Sequence, residues 1–227
     1  AETHNFPTLI CPFEGAATGV GGRIRDNHAT GRGAYLIAGT AGYCVGDIKN
    51  KNNYGHYNSP IKILIEASNG ASDYGNKIGE PIINGFTRSF GLDINNKRIE
   101  WIKPIMFTGG IGYIKKRDLY KLKPEKNMLV IRIGGPAYKI GLGGGFSSSI
   151  EQNTKRANFE TEAVQRGDPQ MENKLNRVIK TLIDNYESNP IISIHDQGAG
   201  GLANVVKEII YPNGAEINLD NITLGDN

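Results

Sequence analysis

An α/β (α+β) fold in two modules is predicted by three features of the sequence. The first half holds short β-rich runs broken by glycine, among them Tyr35 to Ala38, Gly42 to Ile48 and Ile82 to Phe90. A charged stretch, Lys115 to Asn127, then carries six Lys or Arg residues and no apolar period, which marks a boundary near Lys123 between residues 1–123 and 124–227. Beyond it, a strand running into a glycine loop and a helix opened by Asp168-Pro169 follow one another as in α/β architectures.

Composition narrows the function classes. At 227 residues and 24.7 kDa the chain can bury the core of one large domain or two small ones. The absence of an initiator Met, and an ending at Leu224 to Asn227 that no helix or strand signal closes, predict a piece of a longer protein. Net charge is +3 with a pI near 8.7, but acids and bases are interspersed and no basic block alternates with aromatics, which argues against nucleic acid as a partner. Cys11 and Cys44 stand alone, with no CxxC, and read as free thiols of a reducing compartment. No leader and no run of about eighteen apolar residues is present, so the prediction is a cytosolic protein without a membrane partner.

Taken in order, the chain opens on Glu2-Thr-His-Asn-Phe-Pro7, followed by Gly15-Ala-Ala-Thr-Gly-Val-Gly-Gly-Arg-Ile-Arg-Asp26 and Thr30-Gly-Arg-Gly33. Glycines let backbone N–H groups converge on an anion, arginines add charge for phosphate, and a carboxylate such as Asp26 can hold the Mg2+ that accompanies a nucleotide. The residue types therefore fit a phosphate-handling loop, and a glycine-rich surface loop with solvated arginines equally on composition. Thr8 to Cys11 and Tyr35 to Ile48 read as strands flanking it. Lys49 to Pro60 reads as a polar surface loop, Ile61 to Glu66 as an alternating strand, and Ala67 to Pro81 as a loop, either plain or ligand-facing.

Ile82 to Phe90 and Trp101 to Thr108 are strand-like, the second closed by Gly109-Gly-Ile-Gly112. Met128 to Ile133 opens the second module as a strand and runs into Gly134-Gly-Pro and Gly141 to Ser149, neither a Walker A loop nor a dinucleotide fingerprint. The helix from Asp168-Pro169 places Met171, Leu175, Val178, Ile179, Leu182 and Tyr186 on one face and Lys174, Arg177, Lys180 and Asp184 on the other. Ile191 to Asp196 reads as a buried strand with His195 facing the core. It stops on an acid before Gly198-Ala-Gly-Gly201 and a second helix, Leu202 to Ile210. Asp196 is then either a metal ligand at a helix N-terminus or an N-cap.

Together these motifs resemble phosphoribosylformylglycinamidine synthase, the glutamine-dependent ligase family of purine biosynthesis. The resemblance also covers Ala67 to Lys77, Lys103 to Gly112, Gly134 to Gly145, Val164-Gln-Arg-Gly-Asp-Pro169 and His195 to Gly201. Phe6, where bacterial relatives usually carry a second histidine, together with Ala67 to Lys77, resembles the eukaryotic large form. The resemblance implies an aminoimidazole ribonucleotide synthetase-like fold, with an A-type module of β-barrel-type packing over 1–123 and an incomplete α/β B-type module over 124–227. It implies an ATP-dependent ligase that phosphorylates an amide oxygen of formylglycinamide ribonucleotide and lets glutamine-derived ammonia displace the phosphate.

Residue by residue, the resemblance implies that His4 accepts the proton, that Glu2, Asp26 and Asp196 bind Mg2+, and that Thr3, Asn5, Arg25 and Gln165 contact the substrate. It implies an ATP-binding role for Gly15, Ala16, Ala17, Thr18, Gly19, Val20, Gly21, Gly22, Arg23, Ile24, Arg25 and Asp26, and for Asn84, Gly85 and Phe86. Neither cysteine sits in a nucleophile elbow, so ammonia is expected from a separate glutaminase domain and the chain alone is expected to be inactive. The remaining modules of a parent enzyme are the other implied partners. Two alternatives stay open: a sister ATP-dependent enzyme of the same fold, and a non-catalytic nucleotide-binding or assembly module of the same large enzyme.

Overall fold

The computed structural model describes residues 2–3, 5–50, 54–55, 57–138, 149–150, 157–185, 187, 189–198 and 200–225. The architecture is mixed, with helices packed on a four-stranded sheet. Strand β1 (Glu2–Thr3) lies antiparallel to β6 (Ile105–Tyr113), which pairs antiparallel with β2 (Tyr35–Val45), and β2 pairs parallel with β3 (Ile82–Ser89). A hairpin, β4 (Gly91–Ile94) and β5 (Lys97–Glu100), stands beside it and turns on Asn95 and Asn96, both at positive φ. Among the described residues the sheet is open rather than closed into a barrel, because β1, two residues long, and the eight-residue β3 leave edges at either side.

Two segments expected as loop or strand are helices. Helix α1 (Asn5–Ile10) replaces the strand expected at Thr8 to Cys11, and α2 (Pro12–His28) replaces the phosphate loop expected at Gly15 to Asp26. Pro12 supplies the first helical position, and Ala16, Val20 and Ile24 recur every four residues on a buried face. Glycine costs a helix roughly 1 kcal/mol each relative to alanine. Close packing offsets this, since a Cβ on Gly15 would meet the Pro7 backbone at 2.5 Å. These glycines read as loop formers because nothing local reveals the neighbour that needs their smallness.

Helix α3 (Pro60–Ile78) replaces the strand at Ile61 to Glu66 and the loop at Ala67 to Pro81. Ser59 caps it, Pro60 starts it, and Gly79 ends it in the left-handed region at φ 85°, donating to the Gly75 and Asn76 carbonyls. The apparent alternation misled because Ile61 and Ile65 are exposed. The buried residues are Ile63, Ala67, Gly70, Ala71, Tyr74 and Ile78, a helical series. As the crossover between parallel β2 and β3, α3 seats this face against α2 and the sheet, forming the main core with Leu9, Val20, Tyr43, Val45 and Met106.

Tyr35 to Ile48 and Ile82 to Phe90 do form β2 and β3, ending at Val45 and Ser89. Gly109 to Gly112 lie within β6 rather than closing it, and a Cβ on Gly112 would meet the Tyr35 carbonyl at 2.4 Å. Helices α4 (Ala157–Ala163), α5 (Pro169–Asn185) and α6 (Gly201–Ile209) follow. Asp168 accepts from the Met171 amide at 3.0 Å, capping α5 as its sequence predicts. The buried face of α5 is rotated from the expected one: Ile179 and Ile183 pack on Tyr35, whereas Met171 and Val178 are exposed. Asp184, expected to face away, bonds the Tyr35 hydroxyl and Lys115.

Met128 to Ile133 and Ile191 to Asp196 are extended or irregular rather than strands. No neighbouring strand among the described residues offers either a ladder, and Leu129 and Ile131 are exposed. Gly141 to Ser148 lie outside the described residues.

Candidate functional site

A cavity of about 1190 Å³ opens where α2, the N-terminal turns of α5, the 162–168 segment, residues 130–138 and the 194–209 region converge. It gathers four site residues singled out from the sequence, Thr18, Arg25, Gln165 and Asp196. Arg25 arrives from the last turns of α2, and its Nη1 lies 3.1 Å from Glu172 Oε2. Thr18, one face-repeat earlier, donates its hydroxyl to the Gln165 carbonyl and accepts the Gly167 amide, each at 2.9 Å. These two bonds fix the backbone that carries Gln165.

Asp26 and Asp196 come within hydrogen-bonding reach of each other. Asp26 is held above the usual carboxylate range by desolvation first, then by the charge of Asp196 and the hydrogen bond to it. Two carboxylates that face each other in this way are hard oxygen donors whose repulsion a divalent cation would convert to attraction, so the residues fit Mg2+. Among the described residues no group of three or more His, Cys, Asp or Glu is placed to hold a metal ion, although His195 Nδ1 lies 3.5 Å from Asp196 Oδ1. Asp196 is not the cap of α6: the cap position is Gly200, without a side-chain bond. His195 does not face the core. Its imidazole is half-exposed, with Nε2 2.9 Å from Glu208 Oε2.

Several expected site residues lie elsewhere. His4 is outside the described residues, and β1 sets the backbones of Glu2 and Thr3 opposite Thr108 and Phe107. Asn5 opens α1 with its Oδ1 buried and without a hydrogen-bond partner among the described residues. Gly15, Ala16, Ala17, Gly19, Val20, Gly21, Gly22 and Ile24 are buried along α2. The amides of this helix interior bond within it and do not converge on an anion, which corrects the loop expected from the glycines. Arg23 points into the core, where it pairs with Glu80 and donates Nε to the Thr108 hydroxyl at 3.3 Å. Asn84, Gly85 and Phe86 line a second cavity of about 790 Å³ between α3 and β3, apart from Arg25 and Asp196. Gly85 has a packing reason of its own, since a Cβ there would fall 1.8 Å from the Ala41 carbonyl oxygen.

Sequence reasoning passed over Tyr74, Glu172 and His28. Glu172 is buried on α5, accepts the Tyr74 hydroxyl and Arg25, and burial holds its carboxyl above the ordinary range. The available signal was an acid seven and eleven positions before Ile179 and Ile183 on an apolar stripe. His28 is buried at the end of α2, and desolvation lowers its pKa against the hydrogen bond to Asn176. Cys11 is held above its ordinary value by burial, the opposite of an activated nucleophile, and Cys44 is buried on β2. No described helix is long and apolar enough to cross a membrane.

Residues 125–227 match the AIR synthase related protein C-terminal domain. Over all of this chain, the probable phosphoribosylformylglycinamidine synthase of Arabidopsis thaliana is 55% identical and that of Homo sapiens 52% identical. The chain spans 17% and 18% of the length of those relatives. Among solved structures, Thermotoga maritima PurL complexed with FGAR superposes with a TM-score of 0.62 at 25% identity, over 99% of this chain and 33% of that one. PurL complexed with AMPPCP superposes at 0.58 and 25%, over 99% and 31%. With identity above half sustained from end to end, and the fold shared as well, the chain belongs to the phosphoribosylformylglycinamidine synthase family.

Proposed function

We propose that the chain forms part of an ATP-dependent carbon–nitrogen ligase of purine biosynthesis. The enzyme converts formylglycinamide ribonucleotide, ATP and ammonia to formylglycinamidine ribonucleotide, ADP and phosphate. The observation that carries this reading is the convergence of Arg25, Gln165 and Asp196 around one cavity, with Asp26 facing Asp196, from positions up to 171 residues apart in sequence. The relatives' names and the FGAR and AMPPCP bound to PurL support it. The division at residues 123/124 into A-type and B-type modules is part of the reading, supported by the family domain that begins at 125.

In this reading Arg25 and Gln165 bind the substrate, with Thr3 and Asn5 beside β6. Arg25 offsets negative charge growing on the transferring phosphoryl group. Asp26 and Asp196, with Glu2, would hold Mg2+, which when bound neutralises phosphate charge. His4 takes the proton from attacking ammonia, the role that an imidazole base can fill. Of the residues the resemblance assigns to ATP, Thr18 and Arg25 face the cavity and serve ATP there; the buried residues of α2 support them, and Asn84 to Phe86, which line the second cavity, do not join that site. Ammonia comes from a glutaminase domain outside this chain, because neither Cys11 nor Cys44 is placed as a nucleophile. Exposed Ile37, Ile83 and Ile111 on the sheet suit packing by another module of the parent enzyme. Free Cys11 and Cys44 suit the reducing cytosol.

The test is His4→Ala and Arg25→Ala in the full-length enzyme supplied with ammonia, which bypasses the glutaminase. His4→Ala should lower turnover by about 10²-fold or more with ATP affinity nearly unchanged. Turnover that survives while nucleotide binding collapses would overturn the catalytic assignment of His4.

A further inference from the structure

The aromatic ring of Tyr74, from the middle of α3, is wedged between two glycines on different elements. A Cβ on Gly21 of α2 would stand 3.0 Å from its Cε1 and Cζ, and a Cβ on Gly167 would stand 2.7 Å from its Cε2. The ring is fully buried, and its hydroxyl donates to Glu172 Oε2 at the start of α5. That same oxygen accepts Arg25 Nη1 at 3.1 Å. Gly167, against the other edge of the ring, donates its amide to Thr18, whose hydroxyl bonds the Gln165 carbonyl. One phenol therefore touches the supports of both Arg25 and Gln165, which line the cavity.

We propose that Tyr74 and Glu172 are positioning residues for substrate binding, forming a buried post that sets the Arg25 guanidinium and the Gln165 backbone at a fixed separation. The physical reason lies in the contrast between the two ends. Arg25 has four rotatable side-chain bonds and a partly exposed head, and Gln165 sits on a segment without regular structure. Left to themselves, both would lose conformational entropy when they close on a ligand. A carboxylate that cannot move, held by a phenol that cannot move, orders the guanidinium before the ligand arrives. Gly21 and Gly167 have no side chain because the ring occupies that space.

The inference rests on the reading of Arg25 and Gln165 as substrate contacts, and the experiment separates the two. Initial rates of the full-length enzyme with ammonia are measured against formylglycinamide ribonucleotide at saturating ATP, and against ATP at saturating ribonucleotide, with thermal midpoints alongside. Tyr74→Phe and Glu172→Gln, both nearly isosteric, should raise the KM for the ribonucleotide by about tenfold or more and leave that for ATP within about twofold. Glu172→Gln should add little in an Arg25→Ala background, because both changes break one contact. Unchanged ribonucleotide KM in both variants overturns the proposal, as do equal changes for the two substrates that track the thermal midpoint, since these report packing alone. If Arg25→Ala and Gln165→Ala leave the ribonucleotide KM unchanged, the substrate-contact reading falls and the proposal with it. If Arg25→Ala raises it while Tyr74→Phe and Glu172→Gln do not, the proposal alone is overturned.

Discussion

The carboxyl group of Asp26, near the end of α2, faces that of Asp196, 170 positions later in a segment without regular structure. Like charges this close penalise each other, and the raised pKa of Asp26 expresses that penalty. A carboxylate whose folded pKa lies above its unfolded value of 3.8 binds its proton more tightly in the fold. Its cost to stability therefore grows as pH rises from the unfolded value through the folded pKa and persists above it.

In metal-free buffer at pH 7, Asp196→Asn should accordingly be no less stable than the parent. Millimolar Mg2+ should raise the thermal midpoint of the parent and leave that of Asp196→Asn nearly unchanged. Differential scanning fluorimetry with and without EDTA checks both, and an equal Mg2+ response in the two proteins would contradict the shared-cation reading.

His28 sets an acid-side slope of opposite origin. Its folded pKa is lowered from 6.5, chiefly by burial, so no stability is lost above pH 6.5 and loss begins as pH falls below it, levelling off below the folded pKa. His28→Gln keeps a partner for Asn176 and cannot charge. Denaturant titrations between pH 7 and pH 5 should show a shallower decline for the variant than for the parent.

Gly70 on α3 faces α2 so closely that a Cβ would lie 2.1 Å from the Phe13 carbonyl oxygen. Although alanine is the better helix former, Gly70→Ala should destabilise the protein by about 1–3 kcal/mol, the usual cost of overpacking a core. A Cβ at Gly79 would meet nothing within 4 Å, but the left-handed backbone there, at φ 85°, penalises any side chain in Gly79→Ala. Urea unfolding of the two variants measures each effect separately.

Arg23 and Glu80 form an ion pair buried on both sides, with side-chain exposures of 5% and 0%. Removing one partner leaves an uncompensated charge in the core, so Arg23→Met should cost about 3–5 kcal/mol. The double variant Arg23→Met with Glu80→Gln should recover much of that loss. A single variant as stable as the parent would show that water reaches the pair.

The sequence by itself determined the mixed fold, the strands at Tyr35 and Ile82, the α5 helix with its Asp168-Pro169 start, and the α6 helix after the glycine cluster. Each of these is written in local chemistry: β-branched runs, a cap, a helical period. Ordered motifs also identified the family and nominated Arg25, Asp26, Gln165 and Asp196. Tertiary structure alone decided that Gly15 to Asp26 and Pro60 to Ile78 are helices. Gly15, Gly21 and Gly70 lie where Pro7, Tyr74 and Phe13 approach too closely for a Cβ, and those neighbours come from other elements. It also decided which nominated residues meet. Arg25 and Asp196 share a cavity, whereas Asn84 to Phe86 line another, because β3 sits at the sheet edge beside α3. Glu172 and Tyr74 carried no chemical signature in sequence, since an acid on an apolar stripe and a tyrosine in a polar run gain meaning only when packing sets one hydroxyl against one carboxylate.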